Sequence, residues 1–521
     1  MRQWSVAIQV NEDVRSPVDV LPSPAREAAD VKTPSAWRTA VLLFLFFNCL
    51  YLLTSTGRVR SIDEIDPVLQ SDSLLLRHST AIPQALRSGI YFGKLDRHGV
   101  PRSAWPMGHA LLVLPWSAFG HYVLARLPGM PRNISDLAIS TAVCWSSATF
   151  AAITVAISFL LFLGMELSRK SALACSVLLG LATPLFVYSG WLYSEPATIA
   201  VMVAAAYLLF GSGRPISLPR AFAASLLLAF AVHIRPANMM TAFVFIAASL
   251  AFDHSFRSSG ENGFAYRTTA ILVAILAIAG VLYLARNYSL FGHPLDFGVP
   301  PIAENGKDLD SWHNPLWLGL VGFLFSPGKS AFLFCPPAIL GMLGLPRLWR
   351  MNRGLATLCG AGPVAILLMY SLRTQWEGGY CWGPRYLVPS LILLTLPCAA
   401  LLRSPRSPWA RAAFWGLGLF GLLVQAIGLS CNILEDMVVN HYFIGNWDYR
   451  MSYSPITGQL RLIWKYLQVK PAGLGLGWDR WFVFLHAAGA NPVPLAVIAS
   501  IFLAGALGFG LLTWKSVQTL S

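Results

Sequence analysis

The feature that most constrains this chain is the return of long apolar stretches along nearly its whole length. A helix that crosses a bilayer needs roughly 20 mostly apolar residues, and such stretches recur from 39–56 to 492–514. Only 12% of the 521 residues are charged and 55% are hydrophobic, whereas a soluble domain carries about 25% charged residues. A disordered chain is excluded, a large soluble enzyme is disfavoured, and an all-α polytopic membrane protein is predicted.

Twelve stretches qualify as spans: 39–56, 137–164, 171–188, 196–211, 220–234, 237–252, 269–287, 330–346, 355–372, 386–402, 411–431 and 492–514. A further apolar stretch, 107–125, is interrupted by Pro115, Gly120 and two histidines, so it either crosses the membrane or lies at its surface. We therefore predict about 12 transmembrane helices (11–13), with juxtamembrane helices and loops on the outer face.

The basic residues of the short loops indicate the orientation, because cytoplasmic loops carry an excess of Lys and Arg. With the N-terminus inside and 107–125 at the interface, every short inner loop has at least two basic residues. These are Arg169, Lys170, Arg214, Arg220, Arg257, Arg267, Arg347, Arg350, Arg353, Arg403, Arg406 and Arg411. The net charge of +14 is thus a topology signal, both termini are predicted to be cytoplasmic, and nucleic acid is not expected as a partner.

This topology divides the chain into a mobile cytoplasmic tail (1–38), a transmembrane catalytic core (39–431), an outer segment (432–491) and a last helix with a short tail (492–521). The core contains a large first outer loop, 57–136. The eight cysteines show no CxxC or Cys/His spacing, so the sequence predicts no zinc site and no disulfide framework.

Unusual polar residues collect in the outer segments. Asp63, Glu64 and Asp66 follow the first span. A carboxylate there could serve as a general base for a hydroxyl, although a solvated loop with a helix N-cap explains the same residues. Glu195, in the turn YSGWLYSEP, is either functional or a carboxylate favoured by a helix dipole. Arg235, in HIRP, could hold a phosphate or simply extend its charged end to the membrane surface.

Two later segments add cations and aromatic rings. In FSPGKS, Lys329 and the backbone N–H groups of a helix start could hold an anion, or the segment is an ordinary turn. The segment 373–389 is the most informative, because it combines Trp376, Glu377, Trp382, Arg385 and Tyr386 with three glycines. Arginine can pair bidentately with phosphate and aromatic rings can stack on sugars, while an aromatic belt with a turn is the alternative. No metal-ligand spacing is present, and His293 with Asp296 favours a turn.

In the order of these motifs, the chain resembles lipid-carrier-dependent membrane glycosyltransferases of the GT-C fold, which include protein O-mannosyltransferases and bacterial aminoarabinose transferases. The resemblance runs from about residue 39 onward. It rests on Asp63-Glu64, Trp105-Pro106, the S-E-P turn at 194–196, R-P at 235–236, F-S-P-G-K at 325–329 and W-x-G-G-x-x-x-G-P-R-Y-L at 376–387. The chain departs from the aminoarabinose branch at 102–106, where K-P-P-L is absent.

The resemblance implies an inverting transfer of a sugar from a polyprenyl-phosphate donor to a lipid, glycan or protein hydroxyl, at the outer face of a bacterial inner membrane. Asp63 and Glu64 would be catalytic, and Arg235, Lys329 and Arg385 would bind the donor phosphate. Glu195, Trp376, Glu377, Trp382 and Tyr386 would bind sugar or acceptor. No cofactor or metal is assigned, and a divalent cation is left open. A transporter or flippase for a lipid-linked sugar and a non-catalytic membrane subunit are the alternatives.

Overall fold

The computed structural model describes residues 34–89, 91–211, 216–257, 266–298, 303–304, 307–308, 311–403, 408–439, 447–468 and 478–518. The predicted tail, 1–38, falls almost entirely outside these residues, as do Arg214 and Arg406.

Helices dominate the described residues. They are α1 (Pro34–Thr54), α2 (Ile62–Arg77), α3 (Pro83–Arg87), α4 (Gly108–Tyr122), α5 (Ser135–Gly164), α6 (Arg169–Leu181), α7 (Leu185–Tyr188), α8 (Glu195–Phe210), α9 (Leu218–Ile234), α10 (Asn238–Arg257), α11 (Arg267–Phe291), α12 (Leu316–Phe325), α13 (Ala331–Phe334), α14 (Pro337–Met351), α15 (Arg353–Ser371), α16 (Val388–Thr395), α17 (Ala399–Leu402), α18 (Pro408–Ser430), α19 (Ile433–Val439), α20 (Pro455–Gln468), α21 (Trp481–Ala487) and α22 (Pro492–Gln518).

Strands and 3-10 turns are short by comparison. The strand β1 (Gly93–Leu95) pairs antiparallel with β2 (Pro101–Ser103), and β3 (Ala303–Glu304) pairs antiparallel with β4 (Lys307–Asp308). The 3-10 turns are Leu124–Arg126, Arg132–Ile134, Arg385–Leu387, Leu396–Cys398, Trp447–Tyr449 and Met451–Tyr453. The predicted all-α class is therefore confirmed, and the chain is an integral membrane protein.

Each of the twelve predicted spans coincides with a helix or a run of consecutive helices. Within the described residues, seven helices are long and apolar enough to cross a membrane: Pro34–Thr54, Arg132–Gly164, Arg267–Phe291, Arg353–Ser371, Arg385–Leu402, Pro408–Ser430 and Pro492–Gln518. The other five predicted spans match helices that are shorter, broken or less uniformly apolar, such as α6 followed by α7. The number of crossings therefore stays a prediction.

Helix α5 is central to the bundle. It packs against α1, α4, α6 and α8, and 67% of its most apolar window is buried. About half of its buried positions are Ala, Ser or Thr, and small residues let helices approach closely inside a membrane. At its end, a Cβ on Gly164 would lie 2.1 Å from the carbonyl oxygen of Gly211, so this crossing requires glycine.

The stretch 107–125, whose placement the sequence left open, contains the short helix α4. Its 15 residues extend only about 22 Å at 1.5 Å per residue, less than the roughly 30 Å of a hydrocarbon core. The helix packs against α2 and α5 and is not among the helices long and apolar enough to cross a membrane, so we keep the interfacial placement as the prediction.

Candidate active site

Four side chains that are far apart in sequence meet at one face of the bundle. Oε1 of Glu195 lies 2.8 Å from Nη1 of Arg235 and 3.0 Å from Nε of Arg385. Arg385 also forms an ion pair with Asp63 through Nη1. The structure thus brings together one predicted base, two predicted phosphate-binding cations and one predicted acceptor residue.

Each of these residues lies at the end of a helix. Asp63 is in the first turn of α2 and Glu195 is the first residue of α8, where carboxylates favour the positive end of a helix dipole. Arg235 directly follows α9, and Arg385 begins the 3-10 turn before α16. Because the four side chains touch, these helix ends must share one face of the bundle.

Aromatic rings surround the two arginines. The guanidinium carbon of Arg385 lies 3.8 Å from the ring centre of Tyr193, and that of Arg235 lies 4.9 Å from the ring of Tyr386. Tyr386 stacks on Tyr370 with ring centres 4.3 Å apart. The face of an aromatic ring attracts a cation but carries no net charge, so these contacts position the guanidiniums without neutralising them.

A third guanidinium lies near this cluster. Arg373 donates from Nη1 to the hydroxyl of Tyr386 at 2.8 Å, and its guanidinium carbon lies 5.1 Å from the centre of that ring. Guanidinium groups can pair bidentately with phosphate, so a place where several of them meet suits such an anion.

An apolar groove lies beside the cluster. It has a volume of about 350 Å³, and its lining includes Met107, Leu111, Leu226, Phe230, Tyr283 and Arg286. Pro106 lines both this groove and a narrow recess that contains Asp63 and Arg385. The groove between α4, α9 and α11 is therefore the neighbour of the recess across Pro106.

Glu64, which we predict to be catalytic, lies outside the four-residue cluster and forms hydrogen bonds within its own segment. Its side chain is fully buried, and Oε2 accepts hydrogen bonds from the backbone N–H groups of Arg60 (2.5 Å) and Ser61 (3.2 Å). Burial raises the pKa of this carboxyl, opposed by the charge of Arg60. Glu64 caps α2 and thereby fixes the position of its neighbour Asp63.

A second buried ionic network holds the start of this segment. Asp479 accepts from Nη2 of Arg60 at 2.6 Å and lies 2.9 Å from Nε of Arg58. The guanidinium of Arg60 also lies 4.4 Å from the ring of Trp191. This network ties the residues that precede α2 to the residues that precede α21.

Lys329, a predicted phosphate ligand, does not reach the cluster. It is fully buried, and its ammonium donates to the carbonyl oxygens of Gly379 (2.8 Å) and Cys381 (3.3 Å). Gly378, Gly379 and Gly383 all have positive φ, a conformation that glycine adopts without strain. Lys329 therefore fastens the glycine-rich loop that leads to Arg385.

The two tryptophans predicted to bind sugar are core residues. Trp382 is fully buried and its indole N–H donates to Gln425 at 3.2 Å. Trp376 is 5% exposed and packs edge-on against Phe323. Neither ring has a face open to a ligand. Glu377 lies near Lys329, and burial raises the pKa of the Glu377 carboxyl. Tyr386, by contrast, contacts the cluster through Arg235.

Several site residues were missed by the sequence reasoning. Tyr193 and Tyr370 hold the arginines, and Asp66 and His109 line the recess beside Asp63. Asp66 stands in the acidic cluster, one helical turn after Asp63, and this spacing could have placed both on one face of α2. The position of His109 had no such signal, because it depends on how α4 packs.

No group of three or more His, Cys, Asp or Glu side chains suited to a metal ion occurs in the part of the chain that the structure describes. Asp296 pairs with Lys94, and Nδ1 of His293 accepts from the backbone N–H of Leu295 at 3.2 Å. These two residues form the expected turn.

The chain is similar to two crystal structures of one protein. They are ArnT from Cupriavidus metallidurans bound to undecaprenyl phosphate (TM-score 0.44, 17% identity, covering 93% of this chain and 78% of that chain) and ArnT from the same organism in the apo state (TM-score 0.44, 17% identity, 92% and 76%). No protein-family model matches the chain. No curated protein matches it.

Proposed function

We propose that this protein is an inverting glycosyltransferase of the GT-C type, which moves a sugar from a polyprenyl-phosphate donor to an acceptor hydroxyl. The observation that carries the proposal is the contact between Asp63 and Arg385, where a carboxylate and guanidiniums meet beside an apolar groove. A lipid phosphate needs this combination, because its tail is apolar and its head is anionic. The order of motifs from Asp63-Glu64 to the W-x-G-G segment favours the same reaction.

In the proposed reaction, the bond between the anomeric carbon and the phosphate oxygen breaks, and its electron pair leaves on the phosphate. The acceptor oxygen forms the new bond to the anomeric carbon from the opposite side. Its proton goes to the carboxylate of Asp63, which acts as general base. Arg385 and Arg235 stabilise the charge that grows on the departing phosphate.

The remaining residues of the site position these groups. Glu195 holds both arginines through one oxygen, and Glu64 and Lys329 fix the segments that carry Asp63 and Arg385. We place the site on the periplasmic side of a bacterial inner membrane, with both termini in the cytoplasm. The catalytic core is 39–431, and 432–491 is an outer segment that Asp479 ties to Arg58 and Arg60, which precede α2.

The test is a transfer assay with purified protein in lipid nanodiscs and a radiolabelled polyprenyl-phosphate sugar. We expect the sugar–phosphate bond to be cleaved and the label to appear on an added hydroxyl acceptor. A flippase for lipid-linked sugars would move the donor and leave it intact. Donors that all remain intact, over a panel of sugars and with cell-envelope extract as the source of acceptor, would overturn the proposal.

A further inference from the structure

The narrow recess beside Asp63 contains polar groups that the proposed reaction does not use. Its lining includes Asp63, Asp66, Gln70, Trp105, His109 and Arg385, and its volume is about 20 Å³. A water molecule needs roughly 10–15 Å³ of such space. The recess is therefore of a size for one or two hydroxyl groups, with the ring that carries them at its mouth.

Asp66 is buried in the wall of this recess. It is 3% exposed, and Oδ2 accepts hydrogen bonds from Oγ of Ser103 (2.7 Å) and Nε2 of Gln70 (2.5 Å). Burial raises the pKa of this carboxyl to about 7, so a neutral acid is well populated near neutral pH. A neutral carboxyl can both donate and accept a hydrogen bond.

His109 is the second buried polar group of the wall. It is 7% exposed, and its Nε2 has no hydrogen-bond partner among the described residues. Burial lowers the pKa of the imidazole to about 4, so the ring is neutral and offers one donor and one acceptor. A buried polar atom without a partner is costly, and a ligand in the recess would satisfy it.

The start of α4 places His109 at this wall. A Cβ on Gly108 would lie 2.4 Å from the carbonyl oxygen of His233, so only glycine lets α4 begin this close to α9. The next residue is then His109. Trp105, which precedes the helix, has its ring centre 4.8 Å from that of Phe92 and borders the same recess.

These groups match the chemistry of an uncharged sugar. Each hydroxyl of a sugar is a donor and an acceptor, as are a neutral carboxyl and a neutral imidazole. The ring faces of a sugar are apolar and suit an aromatic wall such as that of Trp105. A sugar that carries a carboxylate would be repelled by Asp63 and by ionised Asp66.

We propose that this recess binds the hydroxyl groups of the transferred sugar, and that Asp66 and His109 determine which sugar fits. The inference rests on the proposed function, since it places the ring of the donor beyond its phosphate at Arg385. Asp66 and His109 are here specificity-determining residues, distinct from the base Asp63.

The test compares a polyprenyl-phosphate hexose with a set of donors that each lack one ring hydroxyl. In the wild type, we expect the loss of the hydroxyl that contacts Asp66 to lower kcat/KM by about ten- to hundredfold. Asp66→Ala should lower kcat/KM for the complete donor and leave it almost unchanged for that deoxy donor, because the two changes remove the same contact. His109→Phe should show the same relation with a different deoxy donor.

Asp66→Asn is the conservative variant, because its amide oxygen still accepts from Ser103 and its NH2 still donates into the recess, so it should discriminate the uncharged donors as the wild type does. Asp72→Asn and His121→Gln are matched controls on the same two helices, where Asp72 contacts His121 and Ser117 outside the recess. We expect both controls to discriminate the donors as the wild type does.

The result distinguishes this inference from the proposed function. Equal losses on every donor in Asp66→Ala and His109→Phe, with cleavage by the wild type intact, would overturn the sugar recess and leave the transferase in place. Preference for a donor with an amino sugar, lost in Asp66→Asn, would overturn the assignment of an uncharged ring. Absence of cleavage in the wild type would overturn both.

Discussion

Oε1 of Glu195 lies 3.0 Å from Nε of Arg385, and the same oxygen lies 2.8 Å from Nη1 of Arg235. One carboxylate oxygen therefore sets the spacing of the two guanidiniums that we assign to the donor phosphate. Glu195 is 1% exposed and its Oε2 has no hydrogen-bond partner in the described residues. The buried carboxylate of Glu195 thus holds Arg235 and Arg385 together where solvent does not reach it.

Glu195→Gln should destabilise the protein, because two largely buried guanidiniums would lose their shared counter-charge. Removal of one partner of a buried ion pair costs about 3–5 kcal/mol, so thermal unfolding in detergent should occur at a clearly lower temperature. Glu166→Gln is the control, since Glu166 pairs with Arg403 in a half-exposed position and exposed pairs contribute about 0–1 kcal/mol. Equal Tm values for the two variants would contradict the role of Glu195.

Asp63→Asn should lower kcat by about 10²- to 10⁴-fold, which is the usual contribution of a positioned general base. The folded state should be kept, because the Asp63 side chain is 30% exposed and the amide can still contact Arg385. Transfer of labelled sugar and thermal unfolding are measured on the same preparation. Near-normal transfer in this variant would assign the base to another residue.

Lys329→Met should act on stability rather than on donor binding. The ammonium donates to two carbonyl oxygens of the glycine-rich loop, and buried acceptors that lose their donor cost about 1–3 kcal/mol. We expect a lower Tm and a donor KM close to that of the wild type. A large rise in the donor KM at an unchanged Tm would show instead that Lys329 binds the donor phosphate.

Asp479→Asn should clearly destabilise the protein. Arg58 would lose its paired carboxylate at a nearly buried position, and Arg60 would keep only the longer pair with Glu64 at 3.7 Å, at a cost of about 3–5 kcal/mol. Limited proteolysis should then cut near α21 before it cuts the spans. Asp436→Asn is the comparison, because its partner Arg461 is half-exposed.

The pH profile should report the ionisation of Asp66. Its pKa is raised to about 7 in the folded protein from about 3.9 for an unperturbed Asp, so the folded state binds more protons and the free energy of unfolding falls between about pH 4 and pH 7. The stability of Asp66→Asn relative to the wild type should therefore rise over this range. Asp63, His109 and Arg385 also face Asp66 and are unchanged in this comparison.

The same ionisation should limit activity. If the neutral carboxyl donates to the sugar, kcat/KM should fall as the pH rises through about 7, and this limb should be absent in Asp66→Asn. The hydrogen bond from Ser103 favours the ionised carboxyl, so Ser103→Ala should move the limb to higher pH. If kcat/KM falls at the same pH in both variants as in the wild type, the fall is due to the ionisation of another group.

The sequence by itself determined the class of fold and much of the site. Hydropathy is a local property, so the apolar stretches gave the helices within a few residues, and isolated charges at their ends marked Asp63, Glu195, Arg235 and Arg385. Charges beside a membrane are costly and are kept for pairing or function. For this reason, the residues that converge could be named before their contacts were known.

Only the tertiary structure decided which polar residues are engaged in holding the fold. Glu64 caps a helix, Lys329 fastens a loop, and Trp382 fills the core, although each resembled a ligand-binding residue in the sequence. Asp66 and His109 face a recess because Gly108 lets α4 begin against α9. These assignments depend on contacts between segments that are distant in sequence, which no local pattern of residues contains.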